Sequence, residues 1–66
     1  MMRLADREEE VLRMIAEGHS AKAIADLLNI SKNTVNVHRR NIMKKLNMHK
    51  SVDLTKYAIK NNLIRL

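Results

Sequence analysis

Five side chains in the middle of the chain, Asn33, Asn36, Val37, Arg40 and Lys44, are separated by steps that a helix would align. At about 100° per residue they form one stripe. The opposite side carries Val35, Ile42 and Leu46 within about 40° of one another, with Met43 and Arg39 flanking. A merely solvated face would usually carry glutamate–lysine pairs, but this stripe has two amides, a valine and basic groups with no acid. Each type suits a part of duplex DNA. Arginine can bond both N7 and O6 of guanine, asparagine can pair similarly with adenine, and a valine methyl meets the thymine methyl. An isolated exposed valine carries little meaning, and its place between Asn36 and Arg40 raises its value. Just before the stripe, Ser31 and Thr34 can donate hydroxyls to phosphate oxygens beside the free N–H groups of a helix start. Lys32, Arg39, Lys44, Lys45 and Lys50 would add attraction that is blind to sequence and sensitive to salt.

The charge distribution agrees with a polyanionic partner. The net charge is +6, yet residues 1–26 hold four basic and six acidic side chains. Residues 27–52 hold six basic side chains and no acid. Nucleic acid ranks ahead of membrane for such a block, and a solvated basic face is the bland alternative.

These residues must be positioned by a small all-α fold. Sixty-six residues make a single domain, here 1–66, with a simple core. Cysteine is absent, which excludes a disulfide framework and a thiolate zinc site. One glycine, no proline and one aromatic leave little material for sheets. Spacing and end signals predict four helices. The first spans about residues 7–17, with Leu4, Val11, Leu12 and Ile15 inward, Asp6 and Glu9 as its capping box and Gly18 as its stop. The second covers about 21–28 after Ser20, with Ile24, Leu27 and Leu28 apolar, and ends at Asn29. Ser31 caps a third over about 32–46, which ends at Asn47, and Ser51 opens a fourth over about 52–61, with Asn62 as its stop. The three-residue link Asn29-Ile30-Ser31, with small Ala25 at the crossing, makes the second and third a helix-turn-helix. An ordinary helical hairpin is the alternative.

Taken together the residues resemble the DNA-binding domain of LuxR/GerE-type regulators, including the output domains of NarL/FixJ-like response regulators. The resemblance runs from about Leu4 to Ile64. It rests on Arg7-Glu8, Glu10-Val11-Leu12, Ile15-Ala16-Glu17-Gly18, Ser20, Lys22, Ile24-Ala25, Leu28, Ile30-Ser31, Thr34-Val35, His38-Arg39 and Asn41-Ile42-Met43-Lys44-Lys45-Leu46. The Ala58 to Ile64 tail completes it. It implies a four-helix domain whose third helix reads the major groove and whose fourth helps form a dimer on DNA. The family's main base readers match Asn36, Val37 and Arg40, and its backbone contacts match Lys22, Thr34, Lys44 and Lys45. The chain departs from the family pattern at several positions. Ala5-Asp6 replaces the usual capping pair, which moves the first cap to Asp6, and Ala21 replaces an asparagine that contacts phosphate. Asn29, Asn47 and Asn62 stand where glycine is common, Lys50-Ser51 replaces a more typical capping pair, and Asn36 stands where many members have lysine. Members of that family often carry an N-terminal receiver or ligand-binding domain; Met1-Met2 before Leu4 leaves no room for one within these residues, so any such domain would belong to a longer parent chain.

The fourth helix has two sides. Leu54, Tyr57 and Ala58 point inward, while Val52, Thr55, Lys56 and Ile59 form a second stripe. That stripe fits a weak homodimer that sets two reading helices about one DNA turn apart, about 34 Å. A frayed terminal helix, or Leu63 and Ile64 folding back over the stripe, are the alternatives on spacing alone. His19, His38 and His49 are too dispersed for a metal motif, and His38 reads as a structural histidine. Glu8-Glu9-Glu10 suit the first turns of a helix, and no nucleophile–base pair, glycine-rich phosphate loop or cofactor motif is visible. No apolar run approaches a membrane span and no signal peptide is visible, so the expected setting is cytoplasmic. The functional readings are therefore a sequence-specific transcription factor domain, the promoter-reading region of a sigma factor, and a helical module whose basic face binds an acidic protein. No catalytic role is expected.

Overall fold

The computed structural model describes residues 4–64. The ends of the expected 1–66 domain, with Met1-Met2 and Arg65, lie outside that range. Four helices follow in order: α1 (Asp6–Ala16), α2 (Ala21–Leu28), α3 (Lys32–Leu46) and α4 (Ser51–Lys60). There is no strand among the described residues. The all-α, four-helix expectation is therefore met, with α1 packed against the other three helices and α2 packed on α3.

Where the helices stop is a matter of local chemistry. Gly18, Asn29, Asn47 and Asn62 all have positive φ, at 96°, 56°, 53° and 59°. Glycine takes that conformation without a Cβ clash, and asparagine is among the side chains that tolerate it best. In each case the next residue donates its N–H back five residues. His19 bonds the Met14 carbonyl at 3.1 Å, Ile30 that of Ala25 at 3.0 Å, Met48 that of Met43 at 2.8 Å and Leu63 that of Ala58 at 2.8 Å. These bonds satisfy carbonyls that a helix end would otherwise leave open. Ile30, Met48 and Leu63 also pack against the core, so three of the stops double as hydrophobic anchors.

The helix starts agree less evenly with expectation. Ser20 accepts the Ala23 N–H at 3.1 Å and Ser31 that of Thr34 at 3.0 Å, as N-caps should. The expected Asp6–Glu9 capping box does not form. α1 begins one residue earlier, with Ala5 at the cap, and the Glu8 carboxylate accepts the Ala5 N–H at 2.9 Å. Alanine has no side-chain acceptor, so only the returning half of a box exists. α4 starts after Lys50 with no side-chain cap and ends at Lys60, one residue short of the expected end.

Val11, Leu12, Ile24, Ala25, Val35, Ile42, Leu54 and Ala58 form the buried apolar interior. Leu27, grouped with Ile24 and Leu28 by type, is 61% exposed. The buried arc of α2 centres on Ile24, Ala25 and Leu28, and Leu27 falls about 110° from that centre. Leu63 packs on the core, and in the outer stripe of α4 Val52, at 54%, and Lys56 stay exposed while Thr55 and Ile59 are half-buried. Truncating Ile42 to alanine should remove about 2–5 kcal/mol of stability. Leu27→Ala should change it by no more than about 0.5 kcal/mol. Urea denaturation of the two variants checks the contrast.

Candidate nucleic-acid interface

Burial of Val35 and Ile42 sets the rotation of α3 about its own axis. The remaining surface of that helix then has little freedom in what it shows. Asn33, Val37, Arg40 and Lys44 are exposed and Asn36 is half-buried. Val37, at 38% exposure, is an apolar group set among polar ones. The ion pairs among the described residues are Arg7–Glu10 at 3.5 Å and Lys45–Glu8 at 2.6 Å, so Arg40 and Lys44 have no acidic partner there. Nor does any side-chain hydrogen bond among the described residues engage Asn33, Asn36 or Arg40.

At the start of α3 the hydroxyls of Ser31 and Thr34 lie 2.8 Å apart. One of the two must donate to the other, which leaves a single hydroxyl proton free for an outside acceptor. Lys32, beside them, and Lys22, on α2, are both exposed.

Two of the residues expected at phosphates have internal partners. Arg39 donates from its guanidinium to the Ser51 hydroxyl at the start of α4. That bond uses one of five donors, so Arg39 keeps capacity for an anion. Lys45 is a larger departure, because its ammonium is turned inward onto the Glu8 carboxylate, whose side chain is almost wholly buried. Glu8 is the residue that sequence reasoning missed. By sequence it falls with Glu9 and Glu10 among dipole-facing acids, whereas in the structure only Glu9 and Glu10 remain half-exposed. The signal was available: Glu8, Val11, Leu12 and Ile15 share the spacing of one helix face.

The Lys45 hydrogen bond is the strongest influence on Glu8 and holds its carboxyl below the ordinary value. Burial opposes this, while the Ala5 N–H and the charges of Lys45 and, least, His38 reinforce it. The half-buried His38 thus sits near an acid on α1 rather than in a histidine cluster. No group of three or more metal-ligating side chains occurs among the described residues, and no helix there is long and apolar enough to cross a membrane.

A tight helix-turn-helix with an acid-free, amide- and guanidinium-bearing outer face is the arrangement of a DNA-binding domain. Comparison with known proteins agrees: residues 2–58 match the family described as bacterial regulatory proteins, LuxR family. The chain belongs to that family, whose members are DNA-binding transcription regulators and not enzymes. It is 51% identical over 59 residues to a nitrate/nitrite response regulator protein homolog of Haemophilus influenzae, covering 89% of this chain and 28% of that protein. It is 47% identical over 57 residues to the response regulatory protein YgeK of Escherichia coli, covering 86% of this chain and 39% of that one. To the regulatory protein SdiA of Escherichia coli it is 43% identical over 63 residues, 96% of this chain and 26% of SdiA. The chain therefore spans from about a quarter to two-fifths of the length of these relatives.

The ion pair between α1 and α3 has a measurable signature. Lys45→Met leaves the Glu8 charge facing only the Ala5 N–H and should cost about 1–3 kcal/mol at neutral pH. Glu8→Gln keeps an acceptor and should cost less. Because the folded carboxyl lies below its ordinary value of 4.5, its contribution is complete above that value and is lost as the pH falls through the lower folded one. Urea denaturation from pH 7 downward should show the gap between wild type and Glu8→Gln closing only below about pH 4.5.

Proposed function

We propose that this chain is the sequence-specific DNA-binding domain of a transcription regulator, with α3 lying in the major groove. Asn33, Asn36, Val37 and Arg40 read base edges. Lys22, Ser31, Lys32, Thr34, Arg39 and Lys44 hold the phosphates on either side. Lys45 has a structural role in this reading, because its ammonium is engaged by Glu8. The observation that carries the proposal is the outer stripe of α3, whose polar groups have no internal partner and no neighbouring acid. Side chains left free in this way can bond a base edge without first breaking a bond within the protein.

Two copies meet on DNA through Val52, Thr55, Lys56 and Ile59 of α4. The exposure of Val52, which the core does not need, supports this seam. The domain measures 27 × 25 × 20 Å, a size that lets two copies sit side by side with their reading helices about 34 Å apart. A contact this small makes a weak dimer that forms on the operator. The reading also places the domain at the output end of a longer cytoplasmic regulator that carries a receiver or ligand-binding domain.

Competition binding with selected and scrambled duplexes tests the assignment. Arg40→Ala should lose about 1–3 kcal/mol on the selected site and relax the preference at one base pair. Lys44→Ala should weaken every duplex alike and lower the salt slope by about one. Equal effects of both changes on all duplexes would overturn specific reading. Val52→Asp should abolish cooperative binding to a duplex with two half-sites, by sedimentation and gel shift, and leave single half-site affinity intact. Persisting cooperativity would remove α4 from the interface.

A further inference from the structure

The outer face of α3 limits which bases it can prefer. We infer that the half-site read by one copy holds an adenine and a guanine at most two base-pair steps apart, with a thymine methyl at or beside the adenine's pair. The inference rests on the reading of α3 as a groove-reading helix and adds the identity of what is read.

Asn36 and Arg40 are four residues apart, which is about 6 Å along a helix. Successive base pairs rise about 3.4 Å, so those two positions span at most about two steps, the limit reached when α3 runs along the DNA axis. The outer stripe places Asn36 and Val37 on opposite sides of Arg40, about 40° and 60° from it. The two side chains therefore diverge by about 100° on either side of Arg40 at nearly the same height, each leaning toward a different strand of the groove. An amide bonded to adenine on one wall leaves the valine near the other strand, where that adenine's thymine or its neighbour presents a methyl. A guanidinium suits guanine N7 and O6, and cytosine offers it only a competing donor.

Burial strengthens the assignment of Asn36. Asn36 is half-buried while its amide has no hydrogen-bond partner among the described residues, so its neighbours limit the space open to the side chain without engaging its polar end. Less conformational freedom is then lost on binding, which sharpens the difference between a matched and a mismatched base. The bonds between Ser31 and Thr34 hold the first turn of the same helix in place. No acid occurs on α3, so a cytosine N4 donor finds no carboxylate acceptor there.

The experiment selects duplexes from a random pool with the wild-type chain and with Asn36→Lys, a change at a half-buried position outside the apolar core, with circular dichroism confirming that the variant folds. Wild type should enrich an adenine within two steps of a guanine. Asn36→Lys should enrich guanine in place of that adenine, since lysine pairs with guanine and not adenine. On the selected duplex, changing either pair should weaken wild-type binding about 5- to 150-fold. Base analogues test the same contacts without altering the protein. Deoxyuridine for the thymine should weaken wild type about fourfold and leave Val37→Ala unaffected. 7-Deazaguanine for the guanine should weaken wild type and leave Arg40→Ala unaffected. If wild type enriches a site without this pairing, or Asn36→Lys enriches the same base as wild type, the inference falls while DNA reading stands. If wild type enriches no common site at all, the proposed function falls with it.

Discussion

The angle at which α3 is held about its long axis governs nearly everything else in this domain. Val35 and Ile42, seven residues apart, are both buried and define the inner line of a 15-residue helix. A turn of about 100°, one residue's worth, would send a neighbour of each into the core in its place. Those neighbours include Asn36 and Met43 in one direction and Thr34 and Asn41 in the other. Three of the four are polar side chains with little to bond in an apolar interior, so each slip carries a desolvation cost. The same pattern that excludes alternative rotations also turns Asn33, Val37, Arg40 and Lys44 outward together.

Adjacent lysines illustrate how strictly that angle sorts function. Lys44 and Lys45 are chemically identical, lie one residue apart and contribute equally to the basic count. The first is exposed on the outer stripe, while the second reaches an almost buried carboxylate on α1. A charge tally treats them alike, and geometry separates them. The pair with Glu8 also links two elements that carry different duties. The Glu8 carboxylate closes the start of α1 through Ala5 and fixes the last turn of α3 through Lys45. Both bonds fall on Glu8 Oε1, and no fully buried side-chain polar atom among the described residues lacks a partner. In a core this small an unpaired acid would be costly.

Much of this was legible from the sequence because the signals were periodic or local. Ser20 and Ser31 announce helix starts, and Gly18 with three asparagines announces the ends, since few other residues accept positive φ. The division of α3 into inner and outer faces follows from spacing alone. What sequence reasoning missed involves choices among similar residues. Asp6 has the acceptor that a cap needs and Ala5 has none, yet α1 begins after Ala5 because the Glu8 carboxylate accepts the Ala5 N–H from the other direction. Among three consecutive glutamates, only position relative to Val11 and Leu12 tells which one is buried. Lys45 could be assigned to Glu8 only once α1 and α3 were known to pack together, a contact 37 residues apart in sequence. Tertiary ion pairs of this kind leave no periodic trace.

The connections help so small a core to hold the outer face of α3 in one direction. Only a few residues separate α1 from α2, α2 from α3 and α3 from α4. Short links restrict how neighbouring helices can shift, and in this chain each link begins with a backbone bond from the residue after the positive-φ stop. Ile30 and Met48 then insert into the core directly from those links. Helix orientation is thereby set at both ends of α3 as well as along its length: Ser31 and Ile30 at the start, Val35 and Ile42 within, Met48 and Lys45 at the finish. Distinguishing one base pair from another requires donor and acceptor positions held to a fraction of an ångström. A domain with eight buried apolar side chains among its described residues cannot reach that precision by bulk alone. The residues that end one helix and begin the next supply the rest, because they also fix the direction in which the outer side chains of α3 project.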